Sequence, residues 1–491
     1  MTDPLKVLFA AAEAAPFIKV GGLGDVAGSL PAALHALDSG LDLRLALPFH
    51  KDIHIPGAPP KKIANLSLPY GQEIIPVSIY QTSHQGVCVY LIENALIREA
   101  KSVYSVDNYQ DGLKFTSFCL AALAFVKMLD WRPDILHMHD WHAAPAAVAL
   151  NQQDDEFFEG IASMLTVHNL PYLGQGTREA LAVFGLRPQA HKGLPEWANR
   201  LPLPAALALA DKITTVSPGY AAEILTKEFA SGLEDFLRSR KGDIQGILNG
   251  LDIQSFDPRT DPLITAKFDA ETIDARKDNK QYLVSEFELV PDPDIPLITI
   301  ISRMDDQKGI DIAMDGLRKV LGRPWQAVIL GSGSPEIEAQ VRELQADHPD
   351  RIRAVMRYDA ELARHLYAGA DMILIPSRYE PCGLTQMIAM RYGCVPLARA
   401  VGGLKDTILD PSQGEEFTGF LFEQAAPEAF AAAVERALDV FAGPPVWQQI
   451  QRRGMNQDFS WQASAREYLA LYKQMMYDKR TIGKVVVDDE I

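Results

Sequence analysis

The sequence predicts an α/β protein of two doubly wound domains, each a largely parallel sheet with helices between its strands. Three observations carry this. A chain of 491 residues is too long for one hydrophobic core, so two or three domains are expected. Short apolar runs alternate with helical segments, most regularly in the second half, and strict alternation of strand and helix requires a parallel sheet with right-handed crossovers. Each half also begins with its own strand and a following loop suited to an anion. The expected ranges are 1–245 for the first domain, 246–458 for the second, and 459–491 for a closing helical segment.

Bulk composition narrows the function classes. Apolar residues make up 47% of the chain, enough for sizeable cores, and the formal net charge is −17. Such an acidic balance argues against nucleic acid or anionic membrane as general partners. Cys88, Cys119, Cys382 and Cys394 form no C-x-x-C pair, so neither a disulfide framework nor a zinc ribbon is indicated, and a reducing compartment is the simplest reading. The apolar part of MTDPLKVLFA is too short for a secretory signal. The richest apolar run, residues 118–128, is broken by Lys127 and falls short of membrane length. A cytoplasmic protein is expected.

The first organising stretch is KVGGLGDV, residues 19–26. Residues 6–12 before it read as one buried strand. Val26, Leu30, Ala33, Leu34 and Leu37 follow at helical spacing, with Asp25 as the expected cap. Strand, glycine turn and helix in that order aim backbone N–H groups at an anion. Gly21, Gly22 and Gly24 lack the Cβ atoms that would hold a phosphate off the main chain, and Lys19 adds a mobile cation. The stretch is neither G-x-G-x-x-G nor a P-loop, and a plain tight turn satisfies the same residues.

Residues 41–47 form the next strand. Runs at 63–68, 74–80 and 87–92 have the spacing of hairpins on a sheet edge. A helix over 111–129 leads to a strand at 135–138, which ends in His137-Met138-His139-Asp140-Trp141-His142. The strand at 162–167 ends at His168-Asn169. Polar and aromatic groups at the carboxyl ends of consecutive strands are where open α/β sheets hold ligands. Residues 185–204 are proline-rich and irregular. Residues 212–216 are a further strand, after which Ser217 caps and Pro218 opens a helix. The run GILNGLD, residues 246–252 and including Asn249, is the expected first crossing between domains.

In the second half, a helical segment over 270–287 and a loop over 291–296 lead to strands at 297–301, 327–330, 353–356, 371–375, 395–398 and 419–422. Arg303 and Lys308 follow the first of these, two cations on one strand-end loop within reach of one diphosphate. Gly331-Ser332-Gly333-Ser334 reads as a second phosphate-type turn. In SRYEPCGLTQ, residues 377–386, a buried-type strand delivers Glu380, Pro381 fixes the turn, and Gly383 opens a helix. A carboxylate there holds sugar hydroxyls or balances positive charge on a sugar ring, although an acid also complements a helix dipole. Val401-Gly402-Gly403-Leu404 echoes the first glycine loop. Residues 461–477 read as a closing helix.

A metal reading of His137, His139, Asp140 and His142 lacks H-E-x-x-H or a fixed carboxylate partner. Recognition of sugar hydroxyls by His, Asp and Trp fits better, with a buried, satisfied His137 as the alternative. Asp292-Pro293-Asp294 spells D-x-D but precedes its strand in a proline-rich linker and is discounted. No metal or other cofactor is expected.

Together these residues resemble the bacterial glycogen synthases and plant starch synthases that use a nucleotide-diphosphate glucose. The matching stretches are KVGGLGDV (19–26), HMHDWH (137–142), TVHN (166–169), ILNGLD (247–252), RMDDQKG (303–309), the glycines of 331–333 and EPCGLTQ (380–386), in the expected order. The resemblance implies the GT-B architecture, two Rossmann-like domains facing across a deep cleft, with the closing helix crossing back to the first. It implies transfer of glucose, with retained anomeric configuration, from ADP-glucose to the non-reducing end of an α-1,4-glucan, releasing ADP. On this resemblance Lys19 and Gly21 meet donor phosphate, and Arg303 and Lys308 neutralise the departing diphosphate. Glu380 sits by the glucose ring, His168 holds the sugar 6-hydroxyl, Asp140 and Asn249 line the same pocket, and Tyr358 stacks on the base. Gly22, Trp141, His142, Asn169, Cys382, Gly383, Leu384, Gly402 and Gly403 complete the implied substrate-binding set. Two departures touch donor binding: Val401 stands where the family often has Thr, and Arg357 replaces a small residue before Tyr358. A UDP-sugar transferase with another acceptor and a non-catalytic glucan-binding protein are the alternatives. A nicotinamide oxidoreductase is weakened because neither half shows G-x-G-x-x-G with a following ribose acid. Oligomeric state leaves no signal in the sequence.

Overall fold

The computed structural model describes residues 4–488, with side chains described to Lys479; residues 1–3 and 489–491, the ends of the expected ranges, lie outside the described residues. The chain divides into two compact units, one of residues 4–250 with 461–488 and the other of residues 251–460. The unit limits therefore fall at 250/251 and 460/461, a few residues later than expected. The short run after residue 245 stays with the first unit because Gly246 still pairs with a neighbouring strand. Gly250 lies so close to Trp461 that a Cβ there would meet the Trp461 Cα at 2.5 Å.

In the first unit the strands are β1 (Leu5–Ala10), β2 (Leu41–Pro48), β3 (Lys61–Tyr70), β4 (Glu73–His84), β5 (Val87–Glu93), β6 (Ile135–His139), β7 (Ala162–Val167), β8 (Lys212–Thr215) and β9 (Ile244–Gly246). They form one sheet in the order β3-β4-β5-β2-β1-β6-β7-β8-β9. The ladder is parallel from β5 through β9, while β4 runs antiparallel to both β3 and β5. The hairpin edge read from the spacing of the apolar runs is thus present. Central strands are apolar on both faces: β7 is buried along its whole length, as a parallel strand covered on both sides requires.

Helix Gly22–Leu37 starts four residues before the expected Val26, and its N-cap is Gly21 rather than Asp25, which sits in the first turn. The cause is Glu13. Its carboxylate accepts the backbone N–H groups of Val20 and Gly21, which fixes the loop entering the helix and its N-cap residue, so the helix begins directly after Gly21. The closing helix runs Trp461–Asp488, beyond the expected 477. It packs on helix Gly22–Leu37 and places Tyr468, Leu471, Tyr472 and Met475 in one core with Val7, Phe9 and Ile135. His137 is absorbed into that core. Its Nδ1 lies 2.7 Å from the Tyr472 hydroxyl and its Nε2 2.7 Å from Thr166 Oγ1.

The second unit holds β10 (Leu297–Met304), β11 (Gln326–Gly333), β12 (Ile352–Val355), β13 (Met372–Ile375), β14 (Val395–Arg399) and β15 (Phe420–Phe422). The order is β12-β11-β10-β13-β14-β15, parallel throughout. Two expectations are corrected. Arg303 belongs to the strand β10, not to the loop after it. Gly331 and Gly333 are residues of β11, not a phosphate turn. They are glycines because β10 and β11 approach so closely that a Cβ at Gly331 would lie 1.9 Å from the Ser302 carbonyl oxygen, and one at Gly333 2.4 Å from that of Met304. The Gly333 amide donates to Glu338 at 3.0 Å. Among the described residues no helix is long and apolar enough to cross a membrane.

Candidate active site

In the second unit the chemistry gathers at the carboxyl ends of β10, β13 and β14. Lys308 ends a short 3-10 turn, Asp306–Lys308, after β10, and the Asp305 side chain caps it. The loop after β13 brings Glu380 to it: Lys308 Nζ lies 2.6 Å from Glu380 Oε2. Ser377 Oγ donates to the same oxygen at 2.8 Å. Glu380 is 8% exposed. A carboxylate so enclosed is held in one orientation by one charged and one neutral donor. Arg303 is different. Two-thirds of its side chain is exposed, and it pairs with Asp305 at 2.5 Å and with Gln307 at 3.2 Å. It is a cation presented to solvent on a strand end. Tyr358 is 88% exposed, while its neighbour Arg357 is tied to Asp359 at 2.7 Å. The unexpected arginine is therefore neutralised locally and leaves the tyrosine ring open.

The glycines around Glu380 serve its backbone. Gly402 has φ 44°, and a Cβ on it would meet the Glu380 carbonyl oxygen at 2.0 Å. The Gly403 amide donates to that oxygen at 3.2 Å, so the expectation that this amide awaits a phosphate is corrected. A Cβ at Gly403 would strike the Cys382 carbonyl oxygen at 2.2 Å. Gly383, with φ 75°, does not begin the next helix, which starts at Thr385 with Leu384 as N-cap.

In the first unit Lys19 pairs with Asp25 at 2.7 Å and remains half exposed. Gly21 is corrected in the same sense as Gly403: its amide is bonded to Glu13, whose other oxygen accepts the Tyr104 hydroxyl at 2.9 Å. Burial pushes the Glu13 carboxyl above its ordinary range. A Cβ on Gly22 would meet nothing within 4 Å, so that position stays open. At the ends of β6 and β7, Asp140 adopts the left-handed conformation with φ 54°. Such strain in a non-glycine residue is concentrated at functional sites. Its Oδ1 accepts the His168 amide at 2.7 Å, and burial raises its carboxyl to about 7. His168 Nε2 lies 2.9 Å from His139 Nδ1, and burial lowers the His168 imidazole to about 3. Trp141 packs edge-on against Phe115.

Four polar atoms of these motifs are buried with no hydrogen-bond partner among the described residues: His139 Nε2, His142 Nδ1, Asn169 Oδ1 and Asn249 Oδ1. Orphaned buried polar atoms are costly and rare, so each is an atom that an ordered water or a polar ligand would complete. Glu13, Tyr104, Ser377 and the His139 contact to His168 were not foreseen as site features. Glu13 left a trace in the sequence, a lone acid in the apolar run Ala11-Ala12-Glu13-Ala14-Ala15. Such an acid must find donors, and the glycine-loop amides are the nearest. Among the described residues no three His, Cys, Asp or Glu side chains converge as metal ligands do.

A cavity of about 840 Å³ lies elsewhere, at the amino ends of β10 and β13, and Asp292 and Asp294 line it beside Arg276 and Lys280. Doubly wound sheets hold ligands at the opposite, carboxyl end, so the charged loops carry more weight than the larger void.

A model of the starch synthase catalytic domain matches residues 6–239, and one of the group 1 glycosyl transferases matches residues 295–439. The glycogen synthase of Syntrophotalea carbinolica is 38% identical over 96% of this chain and 99% of its own length. The chain belongs to the glycogen and starch synthase family. The glycogen synthase of Anoxybacillus flavithermus is 36% identical over 96% of this chain and 98% of its own. Among solved structures, the catalytic domain of starch synthase IV from Arabidopsis thaliana, bound to ADP and acarbose, superposes with a TM-score of 0.85 at 31% identity, covering 96% of this chain and all of that one. A sucrose-phosphate synthase from Thermosynechococcus elongatus, 20% identical with a TM-score of 0.61 over 96% of this chain and 100% of its own, shares the fold. As a member of this synthase family the chain is a hexosyltransferase with the two α/β domains of GT-B glycosyltransferases.

Proposed function

We propose that the chain elongates α-1,4-glucan, moving glucose from ADP-glucose to the non-reducing end with retained configuration and releasing ADP. The observation that carries this reading is the enclosed Glu380 carboxylate held by Lys308 and Ser377 at the carboxyl end of β13. Breaking a glucosyl–phosphate bond builds positive charge on the sugar ring and negative charge on the diphosphate. An oriented carboxylate stabilises the first, and preorganised cations stabilise the second. Arg303 and Lys308 take the departing diphosphate in this scheme, Lys19 meets donor phosphate, and Tyr358 receives the base. His168, Asn169 and Asn249 hold sugar hydroxyls; the unpartnered oxygens of the two asparagines support this. Arg303 and Lys308 give the leaving group its counter-charge without a metal in any step. ADP is favoured over UDP because the related starch synthase IV was solved with ADP. A cytoplasmic location, with neither nucleic acid nor membrane as partner, accords with the net charge of −17.

Incubating the pure protein with ADP-[14C]glucose and glycogen tests the reading. Label is expected in polymer, released as maltose by β-amylase. Labelling from UDP-[14C]glucose alone would overturn the donor assignment, and no labelling from either donor would overturn the transferase reading.

A further inference from the structure

His139 lies one residue before Asp140, and the scheme above gives it no task. Its ring is fully buried, stacked on Phe9 with centroids 4.1 Å apart and 4.2 Å from the His137 ring. Nδ1 contacts His168 Nε2 at 2.9 Å, and Nε2 has no hydrogen-bond partner. Burial lowers the pKa values of His139 and His168, the latter to about 3, so both imidazoles are neutral at physiological pH and each carries one N–H.

Two proton arrangements satisfy the contact. If His168 Nε2–H donates, His139 must carry its own proton on Nε2, where a buried N–H would have no acceptor. If His139 Nδ1–H donates, only a lone pair is left at that position. Orphaned buried N–H groups are the rarer defect, so the second arrangement is favoured. It places the remaining proton of His168 on Nδ1, which has no partner among the described residues.

We propose that His139 is a positioning residue that fixes His168 as the Nδ1–H tautomer, making that N–H a hydrogen-bond donor to a ligand oxygen. A hydroxyl bound there accepts from His168 and must direct its own proton elsewhere, so an oxygen able to accept is selected over a group that can only donate. The identity of that oxygen as a sugar hydroxyl rests on the glucosyl-transfer reading; the tautomer does not.

The test is long-range 1H–15N correlation on the full chain labelled with 15N-histidine, with His168→Asn used only to assign the signal. The expected spectrum has a pyrrole-type Nδ1 and a pyridine-type Nε2 at His168. A protonated Nε2 in the unsubstituted protein overturns the proposal, whatever the variants do. His139→Asn retains an N–H near the Nδ1 position and keeps the His168 pattern. His139→Phe removes the donor, averages the two His168 nitrogens and lowers kcat about tenfold. An unchanged His168 pattern in folded His139→Phe also overturns it. Glucan labelling that fails in a protein with the expected spectrum rejects the transfer reading and leaves the tautomer standing.

Discussion

Glu380 and Lys308 hold each other at 2.6 Å with little exposure on either side, so each owes its orientation to the other. Lys308→Ala or Glu380→Ala is expected to lower kcat by about 100-fold or more, the scale of losing one preorganised charge, with the melting temperature little changed. Turnover of ADP-[14C]glucose beside a thermal melt checks this, and near-normal turnover in either variant refutes its role. Protonation sets a second expectation. His50 and His168 are lowered to about 3, and His137, His139 and His142 lie well below their ordinary value. Each binds a proton more readily in the unfolded chain, so stability rises with pH through about 3 to 6.5. Asp140 opposes this: raised to about 7, its contribution is present below its ordinary value and lost as pH rises through the folded one. Five histidines outweigh Asp140 and the likewise raised Glu13, so urea midpoints are expected to rise from about pH 4 to 6.5, and more steeply in Asp140→Asn. At this scale the charged motif residues were legible in the sequence because Lys and Glu types announce their chemistry. Glu13 was not, because one of its donors is Tyr104, 91 positions away, and no local pattern joins them.

Among the elements, the turn after β10 and the loop after β13 are locked by Gly309. Its φ is 62°, and a Cβ there would lie 2.1 Å from the Pro376 carbonyl oxygen. That contact places Lys308 against Glu380. Gly309→Ala combines a left-handed backbone with a backbone clash and is expected to lower the melting temperature by roughly 5–10 °C. Gly322→Ala, where a Cβ meets nothing within 4 Å, is the control; equal melting of the two variants would refute the lock. Strands were legible where apolar runs are uninterrupted, as in β7 and β13. They were misjudged at glycine-rich ends: Gly331 and Gly333 read as a turn because close strand approach and tight turning call for the same residue. The segment 185–201 has neither period, and it is irregular in the structure apart from isolated turns.

For the molecule as a whole, two doubly wound units were legible from length and alternation. The partner of the closing helix was not legible from its own pattern, since an amphipathic helix does not state which core it completes; the family resemblance supplied it, as a helix crossing back to the first domain. Tyr468, Leu471, Tyr472 and Met475 complete that of the first unit. A chain ending at Ser460 loses all four, and burial losses of about 2–5 kcal/mol for each large side chain come to about 8–20 kcal/mol, as large as the whole 5–15 kcal/mol by which a domain is stable. Limited proteolysis is expected to degrade residues 4–250 of that truncated chain rapidly while sparing 251–460; equal survival of both parts would refute the dependence. The same helix sets a timetable at the ribosome. The nascent first unit must wait, with an unsealed interior, until residues 461–475 have left the exit tunnel, whereas residues 251–460 are free to settle before then. The half that is translated first is therefore the half that finishes last.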